Sequence, residues 1–448
     1  MNEVVLYSRL QFGMTLIFHY LFPQLTMSLA MLIGYLRVRE WRGNDPRYTE
    51  ARKFWSKVLA VTFVFGVVTG IPLEFQFGTN WAGFSRFTGG VIGQTLAMEG
   101  VFAFFLESTF LAMMVAGPER VGRRLHLVAT LLVVFSTWLS AYFILATNAW
   151  MQHPVGFTRE ADGRLALNSI WALLGNPWLL WQYLHNQGAA MVTGSFVMAS
   201  VGAFYLLLRQ HEEHGRTFLR IGIIAAAFFS CTQIYPTGDG ASRRVFAFQG
   251  TKAAAMEGAF HSEKGAPIVL IGQPDMQQLT LDNPIYIPKA LSFLTYHRFS
   301  AEVKGLTAYP RDEWPDNVPL VYYAYHIMVG LGSIFVGITL LSLLLLRRGR
   351  LYGARWLLWT VMLTAPFPYI ATMAGWVTAE VGRQPWVAWG LMRTYDGGSP
   401  VLNTGNAMFN LLGFFAMCLM LGVIYCFLIF RIVLEGPRGE PASVQGDS

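Results

Sequence analysis

WLLWTVMLTAPFPYIATMAGWVTAEVGRQPW, residues 356–386, is the stretch from which the rest of the chain can be read. No charged residue occurs between Trp356 and Ala379, and that run exceeds the ~20 apolar residues a helix needs to cross a bilayer. Glu380 closes the run, Arg383 follows one turn later, and Gln384-Pro385 ends the helix. A lone glutamate here reads most simply as half of an ion pair capping a helix at the lipid interface. An ionisable group at membrane depth is costly, however, and commonly has a functional partner. The other spans decide between these readings.

The whole chain of 448 residues has the same character, with 54% hydrophobic and 13% charged residues. Its mean hydropathy is +0.41. These values exclude a disordered chain and are unusual for a soluble one. We predict an all-α polytopic membrane protein with nine spans, at about 10–36, 55–77, 92–116, 125–148, 185–208, 218–235, 319–346, 355–381 and 406–431. The first run is long and lacks a small-residue cleavage site, which marks a retained helix rather than a signal peptide.

The net charge of +7 could suggest nucleic acid, but the basic residues fall in short loops and set orientation instead. Loop one carries Arg37, Arg39, Arg42, Arg47, Arg52 and Lys53; loops three, five and seven are similarly basic, and the alternate short loops are not. The odd loops are therefore cytoplasmic, the N-terminus is outside and the C-terminus inside. Residues 1–235 and 319–434 form the membrane part, 236–318 an ordered external cap, and 435–448 a disordered tail. Cys231, Cys418 and Cys426 make neither a disulfide framework nor a zinc pattern. No P-loop, GxSxG or HExxH motif is present, and no internal repeat suggests an inverted-repeat transporter.

Topology gives each polar residue in a span a depth. His19, Glu99, His185, Met328 and Glu380 all fall in the outer half, with Glu107 near the middle of span three. Alone, each has a plain reading: a histidine bonded to a carbonyl, a methionine as core filler, a helix-end ion pair. Together they suggest one buried site. Histidine, methionine and carboxylate are plausible axial ligands of haem iron. Glu99 and Glu107, about 80° apart on an ideal helix, could relay protons. His126 reads as interfacial, and the His211/His214 pair as a solvated face.

The sequence resembles subunit I of the cytochrome bd-type ubiquinol oxidases over nearly its whole length. The similarity is carried by FGMTLIFHYLFPQLT (12–26), EFQFGTNW (74–81), AMEGVFAFFLEST (97–109), NAWMQHPVG (148–156), His185 with VTG (192–194), YHIMVGLG (325–332) and GWVTAEVGRQPW (375–386). The resemblance implies that His19 and Glu380 ligate high-spin haems, that His185 and Met328 ligate a low-spin haem b, and that Glu99 and Glu107 lie near the high-spin pair. It implies three haems in all: the low-spin haem b, a high-spin haem b, and haem d or a second high-spin haem b. Trp376 would neighbour the haem cluster and Arg383 would offset haem propionates. In the outer loop GD (238–239) and QGTKAAAMEG (249–258) resemble the quinol-binding loop, with Gln249, Lys252 and Glu257 at its quinol positions. The plain reading of Lys252 and Glu257 is an exposed pair on a surface helix.

The outer loop resembles the family's short-loop form, and the family includes cyanide-insensitive types. His326 stands where some members have arginine. The resemblance further implies oxidation of quinol at the outer face of the bacterial inner membrane, reduction of O2 to water, and generation of a proton gradient. Protons would come from the cytoplasm along a path including Lys57, Glu107, Ser108 and Ser140. The expected partners, besides lipid, are subunit II and a small single-span subunit. A proton-coupled transporter or a cofactor-free structural subunit would also bury glutamates, but either would be colourless.

Overall fold

A computed structural model describes residues 3–43 and 45–437. Nine helical segments in these residues are long and apolar enough to cross a membrane: Glu3–Gly43, Pro46–Thr79, Ala82–Ala116, Arg123–Gln152, Leu179–Leu208, Glu212–Phe248, Val318–Arg347, Arg355–Arg383 and Thr404–Glu435. They are called spans one to nine. The span count expected from the sequence is met, but most helices are longer than expected. Span one, with 41 residues, is about 60 Å long at 1.5 Å per residue, twice the ~30 Å hydrocarbon core. The apolar runs mark only the part of each helix in lipid, and the helices continue beyond it. His185, expected to open span five, is the seventh residue of its helix, about 9 Å along from the helix start.

Three spans depart from a continuous α-helix, the first being span three, whose residues Glu99–Phe104 are π-helical. Span six is kinked at Tyr235, whose φ of −140° and ψ of 126° are extended, before the path resumes to Phe248. Its expected end near residue 235 is therefore a kink and not an exit from the helix. Span eight, expected to be continuous, is broken at 364–366 between Arg355–Leu363 and Phe367–Arg383. Pro366 and Pro368 supply no backbone N–H, so the i→i−4 ladder cannot run through them.

Spans one and five are the pillars of the bundle. Their most apolar windows are 61% and 72% buried, against 6% for span nine and 17% for span seven. Span one packs on spans two, four, five and nine, and span five on span six and the first half of span eight. Small residues permit the closest approach. A Cβ on Gly222 would lie 2.6 Å from the Ala199 nitrogen, so spans five and six touch backbone to backbone. The half of the core nearer the first loop is filled by Leu29, Ile33, Trp55, Val58, Met198 and Phe218.

The basic first loop is corrected in one respect. Arg37 and Arg52 lie inside helices and are almost wholly buried, both paired with Glu40 at 2.8 and 2.9 Å. Beside them His126, expected at the interface, is fully buried, with its Nε2 2.9 Å from the Met114 carbonyl oxygen. His214 contacts Glu50 at 2.9 Å, and among the described residues no group of three or more His, Cys, Asp or Glu forms a metal cluster.

At the opposite end residues 249–317 fold over the bundle. Helix Gly250–Glu257 buries every residue from Thr251 to Glu257. The hairpin Ile268–Asp275 with Thr280–Ile287 follows, and a second core joins Ala253–Met256 to Leu145, Trp178, Leu306 and Val321. Arg393–Asp312 and Arg9–Asp316 ion pairs, at 2.7 and 2.8 Å, tie this cap to the last loop and to span one. The C-terminal residues 438–448, expected to be disordered, lie outside the described residues.

Candidate active site

The resemblance named four axial donors, and each sits on a different span. His19 of span one has its Nδ1 3.0 Å from Thr69 Oγ1. The Thr69 hydroxyl hydrogen is directed to the Phe65 carbonyl at 2.7 Å, so His19 Nδ1–H donates to Thr69. That tautomer leaves Nε2 as a bare lone pair. Gly70 keeps the neighbourhood open, since a Cβ there would meet His19 Cε1 at 3.0 Å. His185 of span five has Nδ1 3.5 Å from Thr237 Oγ1, just past the kink of span six. Gln233 from the same kink donates to the His185 carbonyl at 2.8 Å. The π-type turn Gln233–Gly238 therefore places polar groups around His185.

Met328 lies on span seven against the second half of span eight, where its Sδ is 2.9 Å from the position a Cβ would occupy on Gly375. One turn further, Glu380 and Arg383 form an ion pair. Glu380 Oε1 also accepts from Asn148 Nδ2 at 2.8 Å and Gln152 Nε2 at 3.3 Å. Arg383 is buried, and its Nε and Nη1 have no hydrogen-bond partner among the described residues. A buried guanidinium with two unsatisfied donors calls for an anionic or acceptor group beyond Glu380. The helix-end pair of the plain reading exists, but it uses only part of Arg383. Trp376 packs edge-on to Tyr20 with ring centroids 5.4 Å apart, and Tyr20 donates to Asn186.

The carboxylates of span three are not spaced as an ideal helix predicts. Residues Glu99–Phe104 form a π-helical segment. Such a turn absorbs about one extra residue, so Glu99 and Glu107 lie roughly 20° apart in place of the expected 80°. The π-type turn thus brings the two carboxylates nearer to one face of span three. Ser140 donates to Glu99 Oε1 at 2.8 Å, and Glu99 lies within electrostatic reach of Glu107 and of Glu74. Ser108 instead returns its hydroxyl to the Phe104 carbonyl at 2.8 Å, and Lys57 is exposed. Among the described residues no hydrogen bond joins Lys57 to this group.

The outer-loop residues overturn the surface-helix reading. Lys252 and Glu257 are 2% and 3% exposed, and Gln249 is fully buried. Lys252 Nζ donates to Gln152 Oε1 at 3.0 Å and Gln249 Oε1 at 3.1 Å, and lies 5.4 Å from the centre of the Trp178 ring. Burial pulls its ammonium down to about 7. Burial likewise pushes the Glu257 carboxyl up to about 7, against a hydrogen bond from Tyr325, while its Oε2 has no hydrogen-bond partner among the described residues. Sequence reasoning missed the amides Asn148, Gln152 and Gln182, which link these groups. Asn148 and Gln152 lie in the NAWMQHPVG segment that carries part of the resemblance, which gives them no role, and Gln182 is marked only by polarity near the end of an apolar helix. His326 has Nδ1 2.9 Å from the Tyr322 carbonyl oxygen and Nε2 3.1 Å from that of Val269, and the latter contact ties span seven to the hairpin.

Comparison with known proteins gives this arrangement a context. The sequence model of the cytochrome bd terminal oxidase subunit I family matches residues 7–437. The cytochrome bd ubiquinol oxidase subunit 1 of Bacillus subtilis is 34% identical, with 98% of this chain and 95% of that protein covered. The cytochrome bd-II ubiquinol oxidase subunit 1 of Escherichia coli is 31% identical, with 100% and 99% covered. The solved bd oxidase of Geobacillus thermodenitrificans superposes with a TM-score of 0.91 at 28% identity, covering 98% of this chain and all of that one. A cytochrome carries haem, and a first subunit implies a second. On a match that spans all nine helices, the chain belongs to the cytochrome bd terminal oxidase subunit I family.

Proposed function

We propose that this chain, the first subunit of a respiratory terminal oxidase, oxidises a quinol at its outer face and passes the electrons through three haems to oxygen. The observation that carries the reading is the convergence of free donor atoms on the outer half of the bundle, above all the two unsatisfied nitrogens of buried Arg383 beside Glu380. The residues fit haem. His19 presents an unprotonated Nε2, held in that tautomer by Thr69, the arrangement common to metal-bound histidines. Gly375 and Gly70 leave space beside Met328 and His19, and Arg383 has donors to spare for a propionate.

His185 and Met328 would hold a low-spin haem b, and His19 and Glu380 the two high-spin haems, one a haem b and the other haem d or a second haem b. Haem so bound supplies the electron path and the iron at which oxygen is reduced to water. The remaining steps belong to the protein. Gln249 and Lys252 orient the quinol, and Glu257, through its unpartnered Oε2, accepts a hydroxyl proton for release outward. Lys57, Ser108, Glu107, Ser140 and Glu99 bring protons from the cytoplasm. Of these, the Ser140–Glu99 hydrogen bond is the best-supported link. Trp376 and Tyr20 pack edge-on between spans one and eight and would line the haem-binding region. The enzyme is a quinol:oxygen oxidoreductase of the bacterial inner membrane, working with subunit II and a small single-span subunit.

The outer loop is the short form. The alignment to the E. coli relative runs over 517 positions for a chain of 448, so that relative carries insertions absent here. The test is a reduced-minus-oxidised spectrum of the purified membrane protein. His185→Leu and Met328→Leu should each remove the low-spin band while the protein stays in the membrane. Both variants keeping that band would refute the assignment, and a colourless wild-type protein would refute the function.

A further inference from the structure

The proposed quinol loop and the Glu380–Arg383 pair lie on different parts of the chain, yet one residue touches both. Gln152 is the last helical residue of span four and is fully buried. Its side-chain oxygen accepts from Lys252 Nζ at 3.0 Å and from Gln249 Nε2 at 3.0 Å. Its side-chain nitrogen donates to Glu380 Oε1 at 3.3 Å and to the Ala379 carbonyl at 3.4 Å. Its main-chain oxygen accepts a further 2.7 Å hydrogen bond from Gln249. The amide is thus oriented at both ends, with its oxygen towards an ammonium and its nitrogen towards a carboxylate. No flipped amide would serve, because an NH2 group cannot accept from Lys252 and a carbonyl cannot donate to Glu380.

A second observation shows how closely the loop is seated here. A Cβ on Gly382 would meet Lys252 Cγ at 2.8 Å and Cε at 3.1 Å. The lysine stem lies in a slot on span eight that exists because residue 382 has no side chain. Asn148 braces the far side, since it donates to Glu380 Oε1 and accepts from Gln182 Nε2 at 2.7 Å.

From this geometry we infer that Gln152 is a positioning residue that couples the outer-loop Lys252 and Gln249 to Glu380, so that the loop site and the Glu380 site are set by one amide. The inference rests on the functional reading above, in which Lys252 contacts quinol and Glu380 binds a high-spin haem. The recorded side-chain contacts of Gln152 are all to protein groups. Its effect is to hold Lys252 at one end and one oxygen of Glu380 at the other.

The test uses the complete oxidase complex with Gln152→Leu and the near-isosteric Gln152→Glu, read by quinol KM and by the absorption of each haem. Gln152→Leu removes both sets of contacts. It should raise quinol KM about tenfold or more, the range expected for a hydrogen bond to a charged group, and shift the high-spin bands while the low-spin band stays. Gln152→Glu keeps an acceptor for Lys252 but sets a carboxylate against Glu380. It should spare KM and still shift the high-spin bands, a split that simple loss of packing does not produce. A Gln152→Leu protein with only one of the two effects would overturn the coupling. If that variant fails to assemble, Gln152→Glu decides alone, and unchanged high-spin bands would overturn it. Lys252→Ala separates the underlying reading: an unchanged quinol KM there refutes the loop as the quinol site, whatever Gln152 does.

Discussion

Replacing Gly375 with alanine gives a sharp test of where the methionine sulfur must be. The new Cβ would lie 2.9 Å from Met328 Sδ and 3.9 Å from its Cγ. Non-bonded heavy atoms rest at roughly 3.5–4.0 Å, so the sulfur has to retreat by about 0.6–1 Å. Overpacking of this kind costs roughly 1–3 kcal/mol. At 1.4 kcal/mol per factor of ten, that lowers occupancy of the native sulfur position by about 5- to 150-fold. If Met328 is an axial ligand, the low-spin haem should lose its sixth ligand. Its absorption band should fall, and carbon monoxide should bind at the vacated position. Gly330→Ala is the control, because it lies on the same span two residues beyond Met328 and a Cβ there meets nothing within 4 Å. A Gly375→Ala protein with a full-strength low-spin band refutes the reasoning, as does equal loss in the Gly330→Ala control.

Other expectations are as direct. Glu40→Ala strands Arg37 and Arg52 without their shared counter-charge, which for a buried pair costs about 3–5 kcal/mol. Thermal denaturation of the detergent-purified protein should show a clear drop, and wild-type stability would contradict the burial. Arg383→Leu should likewise destabilise by a few kcal/mol, and adding Glu380→Gln should recover much of the loss without recovering oxygen uptake. Turnover at limiting quinol should rise as pH approaches about 7 and Glu257 loses the proton that keeps it from acting as acceptor, then fall above that point as the Lys252 ammonium loses its charge. Glu257→Gln should be slow and lack this rise, and a variant with the wild-type pH profile would exclude Glu257 as the acceptor.

The spans were legible because lipid demands long apolar runs, and nine of them leave little ambiguity. Their ends were not, because a helix that leaves the bilayer becomes polar and looks like a loop, as at Arg37 and Arg52. The break at 364–366 could have been read from Pro366 and Pro368. The π-helical segment at Glu99 could not, since hydrophobic periodicity alone does not reveal an added residue per turn. The candidate ligands were found by depth and resemblance, each being an unusual residue for its place. Gln152 escaped notice because it acts through residues about 100 and 230 positions away, and sequence spacing carries no sign of such contacts. Lys252 and Glu257 looked like a surface pair because the alanines between them suit a surface helix as well as a tightly docked one.

The buried Arg37–Glu40–Arg52 clasp has a consequence for how the chain enters the membrane. Orientation is set by basic residues that resist translocation, and they act while still in water. At that stage Arg37 and Arg52 count as solvated charges, with Glu40 contributing little to the choice of side. Only when spans one and two close against each other do the three side chains leave solvent and bond to one another, with Arg37 also reaching the Arg123 carbonyl. The same two arginines therefore act twice, first as an address and later as a latch. Once they are latched, inverting the helical pair would require reopening a dry ionic contact before either charge could meet the bilayer, and the first decision of biogenesis becomes hard to reverse.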